Sequence, residues 1–374
     1  MRRKALGVGV SFAAAAVAAA IVCWRAAPVS GATESSATPY NRLTAASYLD
    51  SREVWWQQWP HARRDHGTIC ISCHTQVPYA MVRPTLQHLL GETAMPATEK
   101  IMMDNVENRV THWSEMLPFY SDEAAQSHAT EAVQNAIILV NVDEQQGHLR
   151  TVTRTALDNT WALQEKSGRL AGGWVWQNFD LGPWESEESG YQGAALFLLT
   201  VESAPDHYAH EAGVREPMQR LEGFLHAHYA EQPVLNQMYV LWASGKVPAL
   251  MAEPERAQLL QQIHNLQKPD GGWCLSSIDK RERQDDTQQS TEADGYATGL
   301  AILALDAAGT SHRDPAIARG VQWLETNQNK TGMWVATSIN KQRDLDSEAG
   351  KFMSDTATAY AILALQKAGV SNNQ

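Results

Sequence analysis

The chain has 374 residues, of which 44% are hydrophobic and 19% charged, with a formal net charge of −12 at pH 7. There is enough apolar material for one large core or two smaller ones. The acidic balance speaks against nucleic acid, and against an anionic membrane surface, as a partner.

The N-terminus reads Met1-Arg2-Arg3-Lys4 and then runs apolar from Ala5 to Trp24. A basic start, an apolar run and the small residues Ser30-Gly31-Ala32 make residues 1–32 an export signal. The run is also long enough to stay as an anchor, the one membrane contact expected of this chain. Residues 33–44 are polar and read as a linker; the folded domain is expected over 45–374.

Next comes Cys70-Ile71-Ser72-Cys73-His74. This pentad is the attachment pattern for c-type haem. Each thiol can add to one vinyl group of the porphyrin, and the adjacent histidine is placed to reach the iron. A short disulfide is an alternative, as is a metal site completed by Cys274. Because haem c is attached outside the bacterial cytoplasm, export and pentad agree, and a periplasmic or cell-envelope protein is expected. His66, Met81, His88, Met333 and Met353 are candidates by position for a second axial ligand.

From there the chain alternates two kinds of helix. Amphipathic segments fall near 45–59, 97–117, 153–166, 213–228, 254–267 and 314–328. Segments apolar nearly all round fall near 77–90, 123–141, 189–198, 234–244, 294–303 and 354–363; such a helix is buried on more than one side. A period of about 50–60 residues marks a repeat architecture. The expected fold is all-α, an (α/α)6 toroid in which an inner ring of helices is wrapped by an outer one.

Gln328, Gly332 and Trp334, following Arg319-Gly320-Val321-Gln322-Trp323-Leu324, resemble the Gln-Trp repeat of squalene-hopene cyclases and related terpenoid cyclases. Gln267, Gly271 and Trp273 repeat the spacing, and Gln164 with Gly172-Gly173-Trp174 is a copy stretched by four residues. The resemblance implies that glutamine ties helix ends together while tryptophan stacks beneath. Those cyclases begin catalysis with an Asp-x-Asp-Asp motif ahead of Thr-Ala. Here Phe352-Met353-Ser354-Asp355-Thr356-Ala357 takes its place, and a serine hydroxyl is far too weak an acid for the middle position. Asp294 and Asp355 are the remaining candidate acids, each equally suited to capping a helix. The zinc-binding pattern of protein prenyltransferases, whose toroid is similar, has no match.

The loops that lead from outer to inner helices should share one mouth of the ring with the pentad. Trp174, Trp176, Tyr191, Trp273, Tyr296 and Trp334 belong to them, either lining a pocket for an apolar or isoprenoid ligand or packing the rim. The leading expectation is an exported haem c protein on a cyclase-like toroid, in electron transfer or redox chemistry. A redox partner protein and a hydrophobic ligand in the ring go with it. The alternatives are a polyprenoid cyclase or isomerase using Asp294, and a non-catalytic module that binds a lipid or partner.

Overall fold

The computed structural model describes residues 40–370. The expected leader and most of the linker lie outside them. Within them, six helix pairs follow one another. These are α1 (Arg42–Gln58) with α2 (Gln76–Leu89), α3 (Ala97–Thr111) with α4 (Ala124–Gln146), and α5 (Thr151–Ala162) with α6 (Ser189–Ser203). Then come α7 (Ala212–His228) with α8 (Val234–Ser244), α9 (Glu253–Leu266) with α11 (Gly295–Ala307), and α12 (Pro315–Thr326) with α13 (Phe352–Lys367). A single turn, α10 (Leu275–Ile278), sits in the loop before α11. Among the described residues there are isolated bridges but no β-strand.

The two helix types follow from their side chains. In α12 the buried residues Ala316, Ile317, Gly320, Trp323 and Leu324 form one stripe, so the helix covers a surface. In α11 every residue from Gly295 to Leu305 is buried, so the helix must be enclosed. The enclosed helices pack α2 on α4, α4 on α6, α6 on α8, α8 on α11, α11 on α13, and α13 back on α2. The inner ring closes, and the fold is an all-α toroid. No terminal cap is needed because no repeat is left with a bare face.

The outer seam is built from the repeat residues. Trp174, Trp273 and Trp334 are each at most 1% exposed, and each indole N–H donates to a carbonyl of the preceding outer helix: Thr160, Ile263 and Leu324 at 2.7–2.8 Å. The glutamine amides of Gln164, Gln267 and Gln328 each donate twice. One bond goes to the repeat glycine, Gly172, Gly271 or Gly332, and the other to the start of the next outer helix, at Pro217, Ala316 or Asn41. Gln328 thereby joins the last repeat to the first helix. Gly332 is required there: its φ is 93°, and a Cβ would lie 2.1 Å from the Thr44 carbonyl oxygen.

The long loops interlock over the mouth where the inner helices begin. Asn340 donates to the Gly182 carbonyl at 2.8 Å, Gln284 to that of Asp180 at 2.6 Å, and Gln289 to that of Ile339 at 2.8 Å.

Candidate functional site

The pentad lies on this same mouth. Trp56 of α1 donates its indole N–H to the Cys70 carbonyl at 2.9 Å, and Asn105 of α3 clamps the Ile69 backbone through both its N–H and its carbonyl. Ser72 then turns the chain into α2, its hydroxyl accepting the Thr75 N–H at 3.0 Å as a capping residue does. Cys70, Cys73 and Cys274 are all free thiols. Cys274 is held by Ser276 and the Ser290 carbonyl, and among the described residues no group of three or more His, Cys, Asp or Glu could hold a metal ion.

Burial pushes the Cys70 thiol up to about 11 and the Cys73 thiol well above its ordinary value. Both are therefore neutral at pH 7 and are not primed as thiolates. Burial, with the charges of Arg52 and Arg343, holds the His74 ring well below its usual range, so the imidazole is neutral.

Thr75 donates its hydroxyl proton to Asp355 Oδ2 at 2.8 Å. Both side-chain hydrogen bonds of His74 are made at Nδ1, with Thr75 Oγ1 and Ser72 Oγ at 3.0 Å each. Nε2, which makes neither of them, is the nitrogen through which an imidazole held at Nδ1 can ligate a metal. Phe352 stacks on the ring face at 3.6 Å between centroids, and Trp56 meets it edge-on at 5.2 Å.

Asp355 does not cap α13. That helix begins at Phe352, continuing a turn of 3-10 helix, which puts Asp355 inside its first turn. Its carboxyl accepts from Tyr48 at 2.7 Å, Arg52 at 2.8 Å and Thr75 at 2.8 Å, which pull against the upward push of burial. Arg52 also binds Glu348 and lies over the Trp55 ring. Asp294 does cap a helix: it accepts the N–H of Ala297 at 2.8 Å and of Leu275 at 2.5 Å, and burial raises its pKa to about 7. Ser354, at the middle position of the cyclase acid motif, accepts the Ala336 N–H at 3.1 Å. Both carboxyls and the serine are thus engaged in holding structure.

Two small voids flank Trp184. One, at the centre of the ring, is lined by Cys73, Trp176, Gln192 and Tyr360 among others. The other, at the rim, is lined by His74, Asn340, Arg343, Phe352 and Met353. Of the five second-ligand candidates, Met353 is the one that shares a void with His74. Met81 and His88 line a groove at the C-terminal half of α2, and His66 stacks on His112. Of the six rim aromatics, Trp174, Trp273 and Trp334 are packed into the seam. Trp176 lines the central void, and Tyr191 is bonded to the Leu225 carbonyl beside an open cleft. Tyr296 joins Tyr239 and Tyr360 in a buried hydroxyl cluster at 2.8 and 2.9 Å, which closes the middle of the ring. Arg52, Thr75, Gln134, Gln192, Tyr239 and Tyr360 were not singled out from sequence. The available signal was a lone amide inside an apolar helix, as at Gln192.

Residues 215–344 and 296–374 match the family model of the squalene-hopene cyclase C-terminal domain. This C-terminal part of the chain is squalene-cyclase-like. The squalene–hopene cyclase of Bradyrhizobium diazoefficiens is 35% identical over 74 residues, and the probable enzyme of Sinorhizobium fredii is equally similar. Each match takes in 20% of this chain and 11% of the relative. The chain therefore spans about a tenth of the curated relatives it matches. A solved polysaccharide lyase shares 11% identity at a TM-score of 0.37, over 86% of this chain and 90% of its own. The family match begins within α7, so the pentad and the first three helix pairs lie outside it.

Proposed function

We propose that this squalene-cyclase-like domain is an exported carrier of covalent haem c, acting in electron transfer or redox chemistry with a partner protein at the bacterial periplasm or cell envelope. The residues present fit the group. Cys70 and Cys73 are free thiols at the attachment spacing, and His74 is neutral with both side-chain hydrogen bonds at Nδ1 and none of them at Nε2. When bound, haem supplies a one-electron redox centre whose potential depends on its axial ligands and burial. The chain's own residues would hold that centre: Thr75, bonded to Asp355, and Ser72 anchor His74 at Nδ1, and Phe352 and Trp56 restrict the ring's rotation. Arg343 would offer positive charge to carboxylates on the group, and Met353 would be the candidate second ligand, since both line the void that His74 lines.

The pentad carries this reading: two free thiols at the attachment spacing stand beside a histidine whose side-chain hydrogen bonds are both made at Nδ1. Protein purified from a host with cytochrome-maturation machinery should show a Soret band that survives acid–acetone extraction. A colourless protein would overturn the proposal.

A second reading, polyprenoid cyclisation, is favoured by the family match and by the Asp294 carboxyl at about 7. It requires turnover of a squalene-like substrate and its loss in Asp294→Asn. Unchanged turnover in that variant would remove it.

A further inference from the structure

We propose that two adjoining clefts on the mouth where the inner helices begin dock an extended basic segment of a partner protein, its cations on their acidic lips and its apolar side chains on an aromatic floor. The inference goes beyond the haem reading and does not rest on it, because the polypeptide alone forms the surface.

One cleft, of about 520 Å³, is walled by the loop before α6 and the end of α7. The other, of about 590 Å³, adjoins it, and Asn178, Glu187, Glu188 and Glu231 line both. Each alone has the size of a ligand site. Together they offer more room than a small molecule needs, which suits an extended chain.

One wall comes from a departure in the third repeat. The unit from Gln164 to Trp174 is four residues longer than its two counterparts, and the longer turn carries Arg169 and Leu170 into the first cleft. Insertions in repeat folds gather on one face, often the binding face. Leu170 is 37% exposed there, above a floor that includes Trp176, Tyr191 and Phe224. His228 donates from Nε2 to the Arg169 carbonyl at 2.9 Å, which ties the longer turn to α7.

The charges decide the occupant. Among the described residues, the clefts are lined by six carboxylates, Asp180, Glu187, Glu188, Glu231, Asp279 and Glu282, against the three cations Arg169, Lys280 and Arg281. Arg169 spans the lips, reaching Glu187 at 3.4 Å and Glu231 at 3.1 Å, with all three side chains more than half exposed. Exposed ion pairs are weak. Arg169 therefore marks a seat for a guanidinium that a partner's cation can take over. Arg281 pairs with Asp279 at 2.9 Å and reaches Glu188 at 3.6 Å; Asp180 and Glu282 have no ion pair among the described residues. A basic segment complements this surface, and an acidic one is repelled.

The test is fluorescence polarisation of labelled pentapeptides that alternate Lys or Arg with Leu or Phe, titrated with the full purified chain, against the matched set carrying Glu. At least one basic peptide should bind about tenfold or more tightly than its acidic match, and more weakly as salt rises. Glu187→Gln combined with Glu231→Gln should weaken binding about fivefold, and Leu170→Ser should weaken it as well. Arg169→Gln should strengthen binding, because the competing cation is gone. Lys100→Gln, on α3 and in neither cleft, removes the same charge and should change little. If a variant fails to fold by circular dichroism, the comparison of basic with acidic peptides on the unaltered chain still decides. No binding, equal binding of the two sets, or a gain in Lys100→Gln equal to that in Arg169→Gln would each overturn the inference. Displacement of the peptide by an equal concentration of spermine would overturn it too, since charge alone would then be read. A haem-loaded protein that binds no basic peptide would sink this inference alone. A colourless protein that binds one would sink only the haem reading.

Discussion

Thr75 and Asp355 meet at 2.8 Å across 280 positions of chain, joining the residue after the pentad to the first turn of α13. Beside this contact the Thr356 hydroxyl donates to the His74 carbonyl at 3.2 Å. The position that the cyclases fill with an acid is therefore used here to hold the pentad. The pentad and the altered acid motif are one structural unit.

Asp355→Asn removes a carboxylate from a buried cluster with Arg52, Tyr48 and Thr75. Breaking a buried pair by changing one member costs about 3–5 kcal/mol. Thr75→Val removes its bonds to Asp355 and His74 while leaving the Arg52 and Tyr48 bonds to Asp355 in place, and should cost about 1.5–3 kcal/mol. Urea denaturation followed by tryptophan fluorescence would show a larger midpoint loss for the first than for the second. Equal losses would mean that Asp355 is not the hub.

Stability should fall as pH rises. Burial raises Asp294 and Glu99 to about 7, above their unfolded values near 4. Between those limits the folded state holds more protons than the unfolded one, so its advantage is full in acid and lost as pH climbs through about 7. Melting temperature should drop from about pH 5 to about pH 8, and Asp294→Asn should flatten the slope. The amide would also set an N–H against the Leu275 N–H, a loss of about 1–3 kcal/mol. A melting temperature that rises over this range would contradict the assignment.

The seam between last repeat and first helix rests on Gln328. Gln328→Ala gives up two bonds, to Gly332 and Asn41, for an expected loss of about 2 kcal/mol. Gly332→Ala should cost more, because both its φ and the Thr44 carbonyl oppose a Cβ. In both variants limited proteolysis should cut first near α1. Cleavage elsewhere first would place the weak point in another repeat.

Met353→Leu conserves volume and should cost less than about 1.5 kcal/mol in stability. In haem-loaded protein it should nevertheless change the absorption spectrum and raise affinity for added imidazole. An unaltered spectrum would remove Met353 as second ligand.

Much of this was readable from the chain. The helix alternation works because enclosed and covering helices differ in how many faces are apolar, so all twelve long helices fall where their periodicity puts them. The Gln-Trp units were readable because their partners lie at fixed short offsets. The surroundings of the pentad were not. Asp355 is bound by Tyr48 and Arg52 from α1 and by Thr75, contacts that appear only when the ring closes α13 onto α1 and α2. Asp355 was expected as a cap because its residue type suits one; the extra turn at Gly350 shifted the helix start ahead of it. Likewise, rim tryptophans that look like a pocket lining in sequence divide between seam and void only once packed.

The most direct test is the intact mass of the mature protein, produced where cytochromes c are assembled, together with mapping of the peptide carrying Cys70 and Cys73. The account predicts one tetrapyrrole added through both thioethers, with His74→Ala losing the normal ligand field but not the polypeptide's fold. Unmodified thiols at Cys70 and Cys73 in that protein would contradict it.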